Sequence, residues 1–321
     1  MGTLNNQNTI PGVVEAGGMF LSTTAGAVFY VGSAAQIALL GDTGASLAGR
    51  TYTSVNAALL QCVSGRGDTI YLLPGYTESI AAADSWSNLA ATDVSIFGMG
   101  RGTNRPTLTW TTTGSTLLMD TANFRIQNCN LYLAGAHAAG AALTVTAPIT
   151  VSAAGCAITD CNIFWGFDAD QGVTIGITTT AAATFFQFNR NYCYGATAAG
   201  NALTTSFFYA VGADYLQMHD TMIEGACSAT TVGVLRFITT ASIGIDIRRC
   251  NFRNLKVASV HAVTQMAGVL GVVVDCMFGI LDDTTKAGWV PAGAGDGPQF
   301  ARCFTANLAG ENGTSTTPVS T

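Results

Sequence analysis

The stretch from Phe124 reads FRIQNCNLYLAG, and nearly the same pattern returns as CAITDCNIFWGF at Cys156, IDIRRCNFRNLK at Ile245 and VVVDCMFGIL at Val272. With the central Cys as position zero, each copy places apolar residues at −5, −3 and +2, a period of two broken by a two-residue corner. The zero positions run Met99, Cys129, Cys161, Asn191, Thr221, Cys250, Cys276 and Cys303, at spacings of 30, 32, 30, 30, 29, 26 and 27 residues. The −3 column reads Ile96, Ile126, Ile158, Phe188, Met218, Ile247, Val273 and Phe300. From Cys129 onward the +2 column reads Leu131, Ile163, Cys193, Ile223, Phe252, Phe278 and Thr305, apolar in all but the last. A repeat of this length means stacked units that bury a continuous core together.

Helical repeats would space their apolar residues by three and four. Here the alternation is by two, and the segments between copies, such as ALTVTA, VTIGITTTA and TVGVLRFITTA, are rich in strand-forming Thr and Val. The pattern predicts an all-β chain, a parallel β-helix of about eight or nine coils with equivalent residues stacked one rung apart. The −1 column supplies an independent check: Asp160, Arg190, Asp220, Arg249, Asp275 and Arg302 alternate in sign without a break. At an outward-facing corner these form a ladder of neighbouring opposite charges, which fixes register more than it adds stability.

Outside the repeat, TYTSVNAALLQCV has helical spacing at Val55, Leu59 and Cys62 or Val63 behind the N-cap candidates Thr53 and Ser54. It predicts a capping helix near residues 53–63 that covers the open first rung. The division expected is an N-terminal arm over 1–48 with short strands such as AVFYV, the β-helix over 49–305, and a polar, aperiodic tail over 306–321. Only 10% of residues are charged and the formal net charge is −6, with 13 Lys and Arg in all, so no nucleic-acid surface is expected. No signal segment or membrane span is read in the chain. Nine cysteines without a CxxC pair read as buried free thiols, giving neither a disulfide framework nor a zinc site.

The segment FYV followed by GRTYTSVNAALLQC, then GRGDTIYLLPGYTESI, then coils signed NCN, resembles the pectin-lyase-like β-helix virion structural proteins of tailed bacteriophages over about residues 28 to 305. That resemblance implies right-handed coiling and a homotrimer on the particle surface, as a capsid decoration or cement protein, a head fibre or a tailspike. It makes the major capsid protein a partner and a host surface glycan a second one. The chain has no separate receptor-binding or trimerising domain of the tailspike kind after its coils, which favours the capsid-attached role. No cofactor and no chemistry are implied, and the expected location is the virion, after synthesis in the host cytoplasm.

Polysaccharide hydrolysis on such a fold needs a carboxylate pair. The candidates are Asp168 and Asp170 in WGFDADQGV, with Glu224 and Asp246 on later coils; as loop residues, Asp168 and Asp170 also suit capping of free backbone groups. His137, His219 and His261 fall at unrelated phases of the repeat, so no nucleophilic triad is expected. The tripeptide Arg66-Gly67-Asp68 reads as a polar turn, and the sequon at Asn312 matters only in a secreted eukaryotic chain. The +3 column holds the surface of most interest: Tyr132, Phe164 and Tyr194, then Glu224 and Arg253, an outward aromatic stripe suited to a subunit interface or to sugar contact.

Overall fold

A computed structural model of the chain describes residues 15–16, 19–20, 26–40, 47, 49–135, 142–166, 171–195, 204–229, 231–256, 259, 261–281, 288–292 and 297–307. Three parallel sheets wind about one core. The first has 11 strands, the second 9 and the third 7, and each strand pairs with its equivalent in the neighbouring coil. A turn is complete where all three sheets contribute, so the solenoid has about seven full turns. The first two sheets continue beyond the third, which is why counting the −3 column alone gives a higher number.

Register follows the columns. Ile126 pairs with Ile158 and Ile158 with Phe188 on the first sheet. On the second, Leu131, Ile163, Cys193, Ile223, Phe252, Phe278 and Thr305 pair in unbroken succession. These positions point inward: the six apolar members are fully buried and Thr305 is 5% exposed. A one-residue slip in any coil turns its buried set outward, so the apolar columns hold register. Trp165 shows how strictly the stack is shaped. Its indole lies across the next two coils, and a Cβ at Gly195 or Gly225 would sit 2.4 or 2.3 Å from the ring. Only glycine leaves that space in both.

The zero column lines the corner between the first and second sheets from inside. Cys129, Cys161, Asn191, Thr221, Cys250, Cys276 and Cys303 are at most 4% exposed. Their common property is a short polar side chain that serves backbone groups at the bend. Asn191 donates to the Ile158 carbonyl (2.8 Å), Thr221 to that of Phe188 (3.0 Å) and Cys250 to that of Met218 (3.1 Å), in each case the −3 carbonyl of the preceding coil. Asn191 also accepts from the Cys161 amide at 2.9 Å. The column therefore tolerates Cys, Asn and Thr interchangeably because buried backbone groups need partners. All nine cysteines are free, eight of them buried; burial pushes the Cys161 and Cys227 thiols up to about 12.

At the N-terminal end the helix expected over 53–63 is shorter. It runs Val55–Leu59, with the Ser54 hydroxyl accepting from the Ala57 amide (3.3 Å), and buries Val55, Ala58 and Leu59. It stops before Val63 because that residue's amide donates to Asp68 (2.8 Å), and the Val63 side chain is half exposed. A second short helix, Ala34–Leu39, opens on a capping box between Ser33 and Gln36. The strand read at AVFYV forms as Val28–Val31, and it lies in the first sheet between Thr51–Tyr52 and Thr69–Leu72. Segment 28–31 thus pairs with the solenoid although it lacks the repeat. Residues 308–321, including Asn312, fall outside the described residues.

Candidate interaction surfaces

The outward corner between the first and second sheets carries the −1 column. Asn128, Asp160, Arg190, Asp220, Arg249, Asp275 and Arg302 all adopt left-handed backbone, with φ between 51° and 58°. In this conformation every amide but that of Arg302, on the last described coil, still reaches the next coil: Asp160 donates to Asn189 (3.1 Å), Arg190 to His219 (2.8 Å) and Asp220 to Arg248 (3.0 Å). The bend therefore costs no ladder bond. The side chains do not form the continuous alternating ladder expected. Each Arg forks back onto the Asp of the preceding coil, giving three separate pairs: Arg190 on Asp160 (2.7 and 2.7 Å), Arg249 on Asp220 (2.6 and 2.8 Å), and Arg302 on Asp275 (2.5 and 2.7 Å). Each guanidinium is held bidentately on one carboxylate, so the column resolves into discrete pairs; Asp160 takes a further bond from the Gln127 side-chain amide (3.0 Å). Bonding to Arg190, Arg249 and Arg302 holds the Asp160, Asp220 and Asp275 carboxyls below the usual carboxylate range.

The corner between the third and first sheets is left-handed as well. Its column, six residues before zero, reads Asp93, Asn123, Gly155, Phe185, Tyr215 and Gly244, with φ from 58° to 71°. Asp, Asn and Gly enter this region readily; Phe and Tyr do so at a cost of about 1–2 kcal/mol each. Phe185 and Tyr215 are 51% and 48% exposed and stack at 4.7 Å with planes 7° apart. A Cβ at Gly244 would sit 2.7 Å from the Tyr215 ring, so the glycine makes room for it. Sequence reading missed this pair because its column mixes five residue types. The signal was there in the Asp, Asn and Gly at the same phase, three residues that share a tolerance for positive φ.

Between these corners the outer face of the first sheet presents Gln187 and Asn189, then Gln217 and His219, then Asp246 and Arg248 on successive coils. The His219 ring approaches Asp246 (Nε2···Oδ2 3.1 Å), whose other oxygen takes the Arg248 Nε–H at 2.6 Å. Asp246, offered as an acid candidate, is therefore committed to two neighbours. Glu224 likewise forms an ion pair with Arg253 on the next coil of the second sheet. Asp168, Asp170 and His137 lie outside the described residues. His219 lies on the first sheet and His261 just before a strand of the third, Val263–Met266, so the structure does not gather them.

The +3 stripe is in register as read. Tyr132 pairs with Phe164, Phe164 with Tyr194, Tyr194 with Glu224 and Glu224 with Arg253 on the second sheet. The Tyr132 and Phe164 rings stack at 4.6 Å with planes 13° apart, and all three aromatics are half-buried. The +1 column beside it is mixed: Asn130, Asn162 and Asn251 are polar, Tyr192 is 43% exposed, and Met222, Met277 and Phe304 occupy the same column farther along.

The Arg66-Gly67-Asp68 tripeptide is a structural turn. Asp68 is fully buried and accepts from Arg66 (2.5 and 2.7 Å), the Ala27 amide (2.7 Å) and the Val63 amide (2.8 Å). Burial opposes its ionisation, but these bonds outweigh it and hold the carboxyl below its ordinary range. Among the described residues no group of three His, Cys, Asp or Glu could hold a metal ion, and no helix is long and apolar enough to cross a membrane. No family model, curated protein or solved structure matches the chain.

Proposed function

We propose that this chain is a non-enzymatic structural protein of a bacteriophage particle: a right-handed β-helix, closed at its first rung by the Val55–Leu59 helix, that assembles as a homotrimer and stands on the capsid as a decoration or cement protein. The observation that carries this reading is the in-register stripe Tyr132, Phe164, Tyr194 on one sheet face, with the exposed Tyr192 beside it and Met222, Met277 and Phe304 on later coils of the same face. Aromatic and Met side chains aligned over successive coils suit a rigid contact surface. The low charge and the paired state of Glu224 and Asp246 support a scaffold over a catalyst. Many copies bridging neighbouring capsomers stabilise a shell by mass action, because they bind only its assembled state.

Light scattering coupled to size-exclusion chromatography tests the assembly. A particle of three 33.0 kDa chains is expected, and Tyr132→Ala, Phe164→Ala and Tyr194→Ala together should return it to monomer. A wild-type monomer, or a trimer indifferent to the three substitutions, overturns the interface reading. A second reading, an adhesin or depolymerase acting on host surface polysaccharide, is favoured by the exposed Phe185 and Tyr215 pair beside the amide, imidazole and carboxylate row of the first sheet. Release of reducing ends from capsule, abolished in Asp168→Asn or Asp170→Asn, is its mark.

A further inference from the structure

Six described arginines, Arg66, Arg190, Arg248, Arg249, Arg253 and Arg302, pair with a carboxylate. Arg236 differs. It sits on the outer face of the third sheet in the column Tyr209, Arg236, Thr264, three successive coils in register. Among the described residues its only hydrogen bond runs from Nη1 to the Tyr209 hydroxyl (3.1 Å), and its guanidinium carbon lies 5.6 Å from the centre of that ring. Tyr209 thus fixes the guanidinium from one side and leaves its other N–H groups without an acceptor among the described residues.

Those groups face a groove of about 330 Å³ lined by Thr231, Arg236, Thr239, Thr264 and Met266, among others. The Thr264 hydroxyl, one rung from Arg236, is buried and has no hydrogen-bond partner. Thr239, at the end of the Arg236 strand, is held at φ 62°, an uncommon conformation for a β-branched residue. The buried hydroxyl without a partner is the costly one, and the partly exposed guanidinium beside it carries charge that no described carboxylate answers. One ligand satisfies both: an acceptor carrying negative charge on more than one oxygen.

We propose that this groove is an oxyanion-binding site, taking a phosphate, sulfate or carboxylate group on the Arg236 fork with the Thr264 hydroxyl donating to a second oxygen. The site is independent of the assembly reading above, because none of its residues belongs to the second-sheet stripe. It is prearranged: Tyr209 holds the guanidinium before the anion arrives, so little side-chain freedom is lost on binding.

Calorimetric titration of the full-length protein with inorganic phosphate, and separately with acetate, at ionic strength balanced with sodium chloride tests this. Saturable binding of at least one of the two is expected, with phosphate preferred if the site is shaped for a tetrahedral group and acetate if for a planar one. Arg236→Gln should weaken it at least about tenfold, the loss of a charge-assisted fork. Thr264→Val, which keeps the side-chain shape and removes only the hydroxyl, should weaken it about three- to tenfold without lowering the melting temperature of the anion-free protein. The thermal midpoint of wild type should rise with anion concentration as linkage requires, and that rise should vanish in Arg236→Gln. Equal rises in wild type and Arg236→Gln, or no saturable heat with either anion, overturn the proposal. So does Thr264→Val binding as wild type does, since the unpartnered hydroxyl then takes no part.

Discussion

The two left-handed corners of the solenoid have nearly the same backbone and opposite side-chain solutions. At the corner between the first and second sheets, φ runs from 51° to 58°, the outside carries three Arg–Asp forks, and the inside is a column of Cys, Asn and Thr bonded to backbone carbonyls. Between the third and first sheets, φ runs from 58° to 71°, the outside carries Asp, Asn, Gly and one stacked aromatic pair, and the inside is Val94, Phe124, Cys156, Phe186, Leu216 and Ile245, all buried. One corner is held by polar bonds from within and the other by apolar packing. A left-handed bend therefore dictates no particular side chain. What it dictates is that the strain be offset somewhere, and the two corners offset it differently.

The largest test of that contrast is at the packed corner. Phe186→Ala removes a fully buried ring that meets Phe188 and Phe208, and should lower unfolding stability by about 3–5 kcal/mol in denaturant titration. At the bonded corner Asn191→Leu, similar in size and apolar, should cost about 2–3 kcal/mol, because the Cys161 amide and Ile158 carbonyl lose their partner in the interior. If Asn191→Leu is neutral, the zero column is held by packing after all and the contrast fails.

Acid sharpens the comparison further. Asp160, Asp220 and Asp275 have lowered pKa values in the folded chain, so their contribution is complete above the ordinary carboxylate range and is lost as pH falls through the lowered values. Asp68 adds to the same acid limb. Thermal midpoints should fall between about pH 5 and about pH 2, and Asp160→Asn combined with Asp220→Asn and Asp275→Asn should flatten that fall while Phe186→Ala leaves its shape unchanged. The smallest effect is on the exposed rings. Phe185→Asn gives up a stack worth about 0.5–1.5 kcal/mol and regains about as much in backbone strain, so stability should move by less than about 1 kcal/mol. A larger loss means that the ring supports the fold.

Much of this architecture is readable in one dimension because neighbouring coils impose the same environment on the same phase. Ile158 is apolar for the reason that Ile126 and Phe188 are: each covers the next. The burial of the zero column, the outward −1 column and the stripe at Tyr132, Phe164 and Tyr194 all follow from that periodicity. Where the chain does not repeat, the reading weakens. Nothing local at Val28–Val31 says that it lies between Thr51–Tyr52 and Thr69–Leu72, since that order depends on pairings across 21 and 41 residues. The Arg236 site was missed for a related reason: Tyr209 and Thr264 are 27 and 28 residues away and carry no motif.

The sequence alone determined the parallel β-solenoid class, the stacking register and the inward-facing columns of the repeat, because a period-two pattern repeated at coil length admits one way of hiding its apolar face. Only the tertiary structure decided which charges pair, which backbone corners are left-handed, and that Arg236 lies over an aromatic ring beside an unpartnered hydroxyl. Those outcomes turn on side-chain reach and direction. The −1 column reads as unbroken alternation in one dimension and becomes three separate forks in three, because each Arg reaches back bidentately to the Asp of the preceding coil.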